Sequence, residues 1–250
     1  MALKDRLKQG KPLIGTLISL GTTAVTEAIS RCGFDWLWID MEHGPLSIEQ
    51  VQHILQAKRG ECAALVRIPV NDETWIKRVL DLGADGIIVP QVKTAEEAAK
   101  AVSASKYPPT GTRSVGMSRA SGYGMDFAVY IRDANDKLCV FLQIEHIEGV
   151  QNIDAILNVS GIDAIIIGPY DMSGSFGKLG QIQDAEVQEA IDTVRKACKS
   201  KSIPIGIFCL QPELAKKYIE QGYELVNLGC DIHFLWSSAK ASLESIRPSK

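Results

Sequence analysis

Four short apolar runs in this chain end in polar side chains that can do chemistry. Trp36–Asp40 leads into Met41-Glu42-His43-Gly44, and Ala63–Val66 leads into Arg67. Leu138–Ile144 carries Gln143 and stops at Glu145, while Asp163–Ile167 leads into Gly168-Pro169-Tyr170-Asp171. If these runs are strands of one barrel, the groups point into one cup. Side chains alternate along a strand, so Gln143 and Glu145 share a face. One helical stretch and one apolar run separate Glu145 from Asp171, which puts them on neighbouring strands about 4.8 Å apart. Two carboxylates there repel unless a cation or a proton lies between them. Oxygen ligands alone suit a hard cation, Mg²⁺ or Mn²⁺. The spacing also allows either carboxylate to cap the next helix or to pair with a basic side chain.

His43 follows Asp40 by three residues. A carboxylate beside an imidazole can orient the ring and make it a general base; the plainer reading is a turn histidine without catalytic duty. Arg67 ends an apolar strand, and a buried guanidinium needs an anionic partner. That partner is either a structural carboxylate or a developing oxyanion such as an enolate. No lysine ends any of the strand-like runs in an apolar setting, which disfavours Schiff-base chemistry. His53, His146 and His233 read as structural or solvated.

The elements that must carry these groups follow from periodicity. Eight β-rich runs recur, near 13–18, 36–40, 63–67, 86–89, 138–145, 163–167, 204–208 and 225–228, each followed by an amphipathic stretch. Ser47, Asp72, Thr94 and Asp184 stand where helix caps belong. Near-continuous apolar strands alternating with helices mean a parallel sheet covered on both faces. Eight units in 250 residues predict an α/β fold of the (β/α)8 barrel type, a single unit over 1–250. No G-x-G-x-x-G follows the first strand, which argues against a dinucleotide fold. One segment, 107–136, breaks the rhythm; it is rich in Gly, Ser and Arg, and Arg113 and Arg119 on it are expected to border a site.

With 27 basic and 30 acidic residues the chain has no basic excess for nucleic acid or an anionic membrane. Its apolar runs are too short to span a bilayer, and the first residues lack the apolar core of a secretory signal. The six cysteines form no C-x-x-C pair, which points to a reducing, cytoplasmic setting without disulfides.

Taken in order, Asp40-Met-Glu42-His43-Gly44, Val66-Arg67-Ile68-Pro69, Lys106-Tyr107-Pro108-Pro109, Gly111-Thr-Arg113-Ser-Val-Gly116, Gln143-Ile-Glu145 and Gly168-Pro169-Tyr-Asp171-Met-Ser173 resemble the HpcH/HpaI aldolases, metal-dependent class II enzymes of the phosphoenolpyruvate/pyruvate-binding barrel type. The resemblance runs from about Gly10 to Ile246. It implies reversible cleavage of a 4-hydroxy-2-oxo acid to pyruvate and an aldehyde through the pyruvate enolate. Glu145 and Asp171 would hold the divalent metal (Mg²⁺, Mn²⁺ or Co²⁺), with Gln143 beside them. The amides of Tyr170 and Asp171 would bind the pyruvate carboxylate, Arg67 would stabilise the enolate, and His43 with Asp40 would move protons. A citrate-lyase-β-like enzyme acting on acyl-CoA thioesters shares this fold, yet the loops CLQPE and NLGCD offer no obvious nucleotide pocket. A barrel that only binds an oxo acid would need no base.

The last helix, 232–246, carries Ile232, Leu235, Trp236, Ala239, Leu243 and Ile246 on one stripe. The stripe either packs on its own barrel or on a neighbour. The resemblance implies a hexamer in which this helix docks on an adjacent subunit.

Overall fold

The computed structural model describes residues 1–247. A short helix α1 (Leu3–Leu7) precedes strand β1 (Leu13–Ile18). The alternation then runs α2 (Thr23–Ser30), β2 (Trp36–Asp40), α3 (Ile48–Ala57), β3 (Ala63–Arg67), α4 (Glu73–Asp81), β4 (Gly86–Val89) and α5 (Ala95–Ser105). A 3₁₀ turn (Arg119–Gly124) and α6 (Phe127–Lys137) come before β5 (Cys139–Ile144), α7 (Ile147–Gln151), α8 (Ile153–Leu157) and β6 (Ala164–Ile167). The chain ends with α9 (Pro169–Ser175), α10 (Ala185–Ser200), β7 (Ile205–Cys209), α11 (Pro212–Glu220), β8 (Leu225–Cys230) and α12 (Asp231–Ile246). The eight strands pair in chain order, all parallel, and β8 closes on β1. The fold is a (β/α)8 barrel. Among the described residues no helix is long and apolar enough to cross a membrane, and all six cysteines are free thiols.

Local chemistry starts the helices where the sequence places them. Ser47 and Gln50 form a reciprocal capping box on α3, as Thr94 and Glu97 do on α5. Asp72 accepts from the Thr74 amide and Asp184 from the Glu186 amide. Each such cap is worth about 1 kcal/mol.

Strand alternation divides the core in two. Alternate members such as Leu37, Ile39, Ala64 and Val66 face outward and pack under the helices. Trp36, Trp38, Ala63, Leu65, Cys139, Phe141, Ala164 and Ile166 fill the barrel interior. Leu3 and Leu7 of α1 join that inner cluster. The interior is therefore solid from the N-terminal mouth up to Trp38, and the next inward positions are Asp40, Arg67 and Gln143.

Several features differ from expectation. Short helices α1 and α9 have too little periodicity to be read in sequence. The amphipathic stretch after β5 forms two helices, α7 and α8, meeting at Asn152, whose side-chain amide donates to the Lys93 carbonyl at 2.9 Å. Residues Arg113 and Arg119 do not border the cavity of their own chain. Arg113 is buried and donates to Asp81 at 2.7 Å and Tyr130 at 3.2 Å. Its guanidinium lies 4.5 Å from the Tyr107 ring centre. Arg119 donates to the Leu82 carbonyl at 2.5 Å. Both arginines thus fasten the segment to the end of α4, on the N-terminal side of the barrel.

The stripe on α12 does not pack on its own barrel. Leu235 is 60% exposed and Trp236 52%, and Asp231 is the only fully buried residue of the helix. Its first turn is held by Phe234 stacked on Phe34, centroids 6.3 Å apart, and by Asp231, which accepts from Ser19 and Leu20 amides at 2.8–3.1 Å. The helix then leaves the body of the chain.

The buried Arg113 makes a clear test. Removing one partner of a buried ion pair costs about 3–5 kcal/mol. Arg113→Ala should therefore lose roughly 3 kcal/mol in urea unfolding. Unchanged stability would show that Arg113 does not fasten the segment.

Candidate functional site

The polar groups converge at the C-terminal mouth. A cavity of about 240 Å³ opens there, bounded by Trp38, Asp40, His43, Arg67, Gln143 and Asp171 among others. A larger cleft of about 590 Å³ lies at the opposite end, beside Lys4, Asp163, Lys199 and Glu224. Its charges are already engaged: Lys4 pairs with Asp163 at 2.8 Å, and Glu224 accepts the Ile205 amide at 3.0 Å. The C-terminal cavity is where a (β/α)8 barrel presents its strand ends for catalysis.

Register brings Asp40 beside Arg67 on β2 and β3. Arg67 Nε and Nη2 donate to the two Asp40 oxygens, each at 2.8 Å. Arg67 Nη1 is 3.0 Å from Glu42 Oε2 and donates to Gln143 Oε1 at 3.4 Å. The guanidinium sits 5.0 Å from the Trp38 ring centre. Burial works against the charge on Arg67, but Asp40, Glu42 and Glu145 outweigh it and its pKa is raised. The partner that sequence left open is thus a structural carboxylate, with one corner of the fork turned to the other acids.

Glu145 follows the end of β5 and is buried. Its Oε1 accepts the Gln91 amide at 3.0 Å, and its Oε2 accepts from the Gln143 side chain. Gln91 adopts a left-handed φ of 57° to aim that amide. Gly168 faces the same pair; a Cβ there would collide with Glu145 Oε2 and lie 2.9 Å from Gln143 Nε2. Asp171 stands exposed in the first turn of α9, with Tyr170 before it. The expected members are therefore all at one mouth.

The coupling of His43 to Asp40 needs correction. Both Asp40 oxygens serve Arg67, and Oδ1 also accepts the Glu42 and His43 amides at 3.0 and 3.4 Å. Asp40 holds the turn's backbone, while the His43 ring stays 66% exposed, its Nε2 3.9 Å from Glu42 Oε2. Three participants escaped the sequence reading. Glu42 lay inside a quoted motif without a role. Gln91 gave no signal, because glutamine is not a residue that advertises a positive φ. Gly168 could be recognised only once its neighbours were placed.

Charge defines what the mouth can hold. Asp40, Glu42, Glu145 and Asp171 face one another with Arg67 as their single guanidinium. Burial raises the pKa of Glu42, opposed by Arg67 and His43. Burial pushes Glu145 up to about 7; the Gln91 amide opposes this, and the negative charges of Glu42 and Asp171 add to it. Glu42 Oε2 is buried without an aligned hydrogen bond, despite its closeness to Arg67. Such a cluster has a surplus of negative charge that a cation would relieve. Among the described residues no three Asp, Glu, His or Cys side chains form a ready cage. A hard divalent cation is commonly held by one or two carboxylates and completed by water and substrate oxygens. The residues present fit such an ion.

An acid whose pKa is higher folded than unfolded contributes stability below its unfolded value of 4.5, lost as pH rises through about 7. In chelator, Glu145→Gln should therefore be more stable than the parent above about pH 7, by roughly 3 kcal/mol. The gap should close toward pH 4.5. Urea unfolding across pH measures it; a gap independent of pH would remove the assigned cause.

Comparison with known proteins identifies the family. The family model for HpcH/HpaI aldolase/citrate lyase matches residues 14–238. A 4-hydroxy-2-oxo-heptane-1,7-dioate aldolase of Salmonella dublin is 40% identical over 96% of this chain and 92% of its own. A 2-dehydro-3,6-dideoxy-6-sulfogluconate aldolase of Pseudomonas putida is 39% identical over 96% of this chain and 95% of its own. Among solved structures, an HpcH/HpaI aldolase/citrate lyase family protein of Burkholderia cenocepacia J2315 superposes with a TM-score of 0.95 at 34% identity, covering 98% of this chain and 99% of that one. With its barrel closed and its strand ends so furnished, the chain belongs to the HpcH/HpaI aldolase/citrate lyase family, enzymes that act on carbon–carbon bonds.

Proposed function

We propose that this enzyme catalyses reversible aldol cleavage of a 4-hydroxy-2-oxo acid to pyruvate and an aldehyde. The observation that carries the reading is Arg67, buried and charged, lining the same cavity that Gln143 and Asp171 border. Glu145 and Asp171 would hold a divalent cation, which when bound would supply Lewis acidity toward the keto oxygen of pyruvate. The chain's own groups do the rest. Gln143 orients Glu145, and the Gln91 amide fixes its second oxygen. The amides of Tyr170 and Asp171, at the start of α9, receive the pyruvate carboxylate. Arg67 Nη1 lies on the side where negative charge grows as the carbon–carbon bond breaks.

His43 stands at the exposed rim, within reach of an entering substrate. It takes the proton from the 4-hydroxyl during cleavage and returns it during addition. Asp40 serves by holding Arg67 and the turn that carries His43. Among the described residues no lysine lines the cavity, which supports a route without a Schiff base.

We also propose that α12 docks on a neighbouring subunit, giving a hexamer. Its exposed stripe, Leu235 and Trp236 above all, is an apolar face left open within one chain. Helix exchange of this kind joins subunits at low cost.

Chelator should abolish pyruvate release from 4-hydroxy-2-oxo acids, and Mg²⁺, Mn²⁺ or Co²⁺ should restore it. His43→Ala should lose about 10²–10⁴-fold in rate, and Arg67→Lys should also fail because an ammonium cannot replace the planar fork. Borohydride with pyruvate should label nothing; stoichiometric trapping on a lysine would overturn the mechanism. For the assembly, light scattering should give six copies, and truncation from Ile232 should give smaller, aggregation-prone species. A stable, active full-length monomer would refute it.

A further inference from the structure

Two polar atoms buried inside the barrel serve none of the groups at the mouth. Trp38 Nε1 and Asn227 Oδ1 have no hydrogen-bond partner among the described residues, although Trp38 is only 2% exposed and Asn227 1%. Buried polar groups in native proteins are nearly always paired. These two are complementary, because an indole N–H only donates and a carboxamide oxygen only accepts. The Asn227 side-chain amide donates to the Gly229 carbonyl at 3.3 Å, which leaves Oδ1 as the free end.

Strand register brings them to one level. Trp38 pairs with Leu17 of β1 and Asn227 with Gly15 of the same strand, so the two stand on either side of β1. Inward side chains from alternate strands of a (β/α)8 barrel share a layer. Following the pairings around the ring, that layer is Trp38, Ile88, Ile166 and Asn227. The layer above it is Leu17, Arg67, Gln143 and Phe208, and all of these border the cavity. The orphaned donor and acceptor thus lie directly under the site.

The indole is also the surface on which Arg67 lies. The guanidinium is 5.0 Å from the Trp38 ring centre, and Trp36 stacks on the same ring at 6.2 Å. Asp40 fixes the guanidinium edge through two hydrogen bonds. Its face rests on Trp38, so a turn of that ring would carry Arg67 with it. We propose that Asn227 is a positioning residue that acts on Arg67 through Trp38. One isolated water, accepting from the indole N–H and donating to Asn227 Oδ1, links β8 to β2 beneath the cavity. Single buried waters commonly join polar groups that the chain itself leaves unsatisfied. The functional consequence rests on the aldolase reading, in which Arg67 meets negative charge that grows during the reaction. A displaced Arg67 then lowers kcat and leaves KM for pyruvate nearly unchanged.

Two measurements on the full chain test the link and its consequence separately. Trp38→Phe removes the N–H and keeps an aromatic face; Asn227→Leu removes the carboxamide and keeps its bulk. The first measurement is NMR of protein labelled with ¹⁵N-tryptophan, without metal or substrate. Asn227→Leu should shift the Trp38 indole signal, identified by its loss in Trp38→Phe, and leave those of Trp75 and Trp236 in place. The second follows exchange of the pyruvate methyl protons in D₂O with Mn²⁺ present. Each single variant should lower kcat about 10-fold with KM held within about 2-fold. The double variant should be no slower than either one, whereas independent losses would multiply to about 100-fold. It strands no polar group, so its midpoint of urea unfolding should also lie closer to the parent than that of either single variant. An indole signal indifferent to Asn227→Leu, or multiplied losses in the double variant, overturns the proposal. An indole signal that moves only when pyruvate and Mn²⁺ are added places the N–H on the substrate and overturns it too. Absence of exchange in the parent overturns the aldolase reading, while the indole signal still decides whether Asn227 holds Trp38. If Asn227→Leu fails to fold, Asn227→Ala takes its place in both measurements.

Discussion

The two-pronged bond between Arg67 and Asp40 is the constraint from which the rest of the site follows. Both groups are almost wholly buried, on adjacent strands in matched register. A buried pair of this kind gives little net stability, but losing either partner strands a charge and costs about 3–5 kcal/mol. Neither residue can change without the other. Asp40 also anchors the amides of Glu42 and His43, so the turn at the rim inherits its position from the same bond. The remaining corner of Arg67 touches Glu42 and Gln143, and Gln143 touches Glu145. One guanidinium thus sets the geometry from β2 to β5.

That arrangement requires a dry floor. Trp36 and Trp38 stack with centroids 6.2 Å apart, and Phe141 meets Trp36 edge-on at 6.4 Å. Such large rings fit because small residues face them: a Cβ on Gly15 would strike the Trp36 ring, and one on Gly86 would press on Leu65 and Cys139. At the far mouth Leu3 and Leu7 of α1 extend this apolar cluster. The acids above Trp38 therefore sit on apolar surface, and burial heads the causes that raise Glu42 and Glu145. Packing at one end produces the electrostatics at the other.

The strands and the inward residues were legible because alternation over five or six buried positions leaves little choice of face. Asp40, Arg67, Gln143 and Glu145 could be placed together from that alone. What could not be read depends on contacts distant in sequence. Gln91 meets Glu145 across 54 residues through its backbone, to which side-chain identity is blind. Arg113 looks like a ligand of an acidic substrate until Asp81, Tyr107 and Tyr130 surround it. Asp40 and His43 are close enough in sequence to suggest a dyad, yet Arg67 is the stronger competitor for the carboxylate. For α12, periodicity shows an apolar stripe but carries no information on which barrel it covers.

Rigid and variable parts of the site divide along the same line. Arg67, Gln143 and Glu145 stand on or beside strands with every charged oxygen or nitrogen engaged, so this part of the site tolerates little change. His43 and Tyr170 stand on the loop segments beyond β2 and β6, exposed and lightly tied. Loops on a rigid scaffold are where binding preferences vary. The two aldolases compared above are named for different substrates, a seven-carbon dioate and a sulfonated sugar acid. In this chain His43 and Tyr170 at the rim are lightly held, whereas at the strand ends the bond between Arg67 and Asp40 permits little variation.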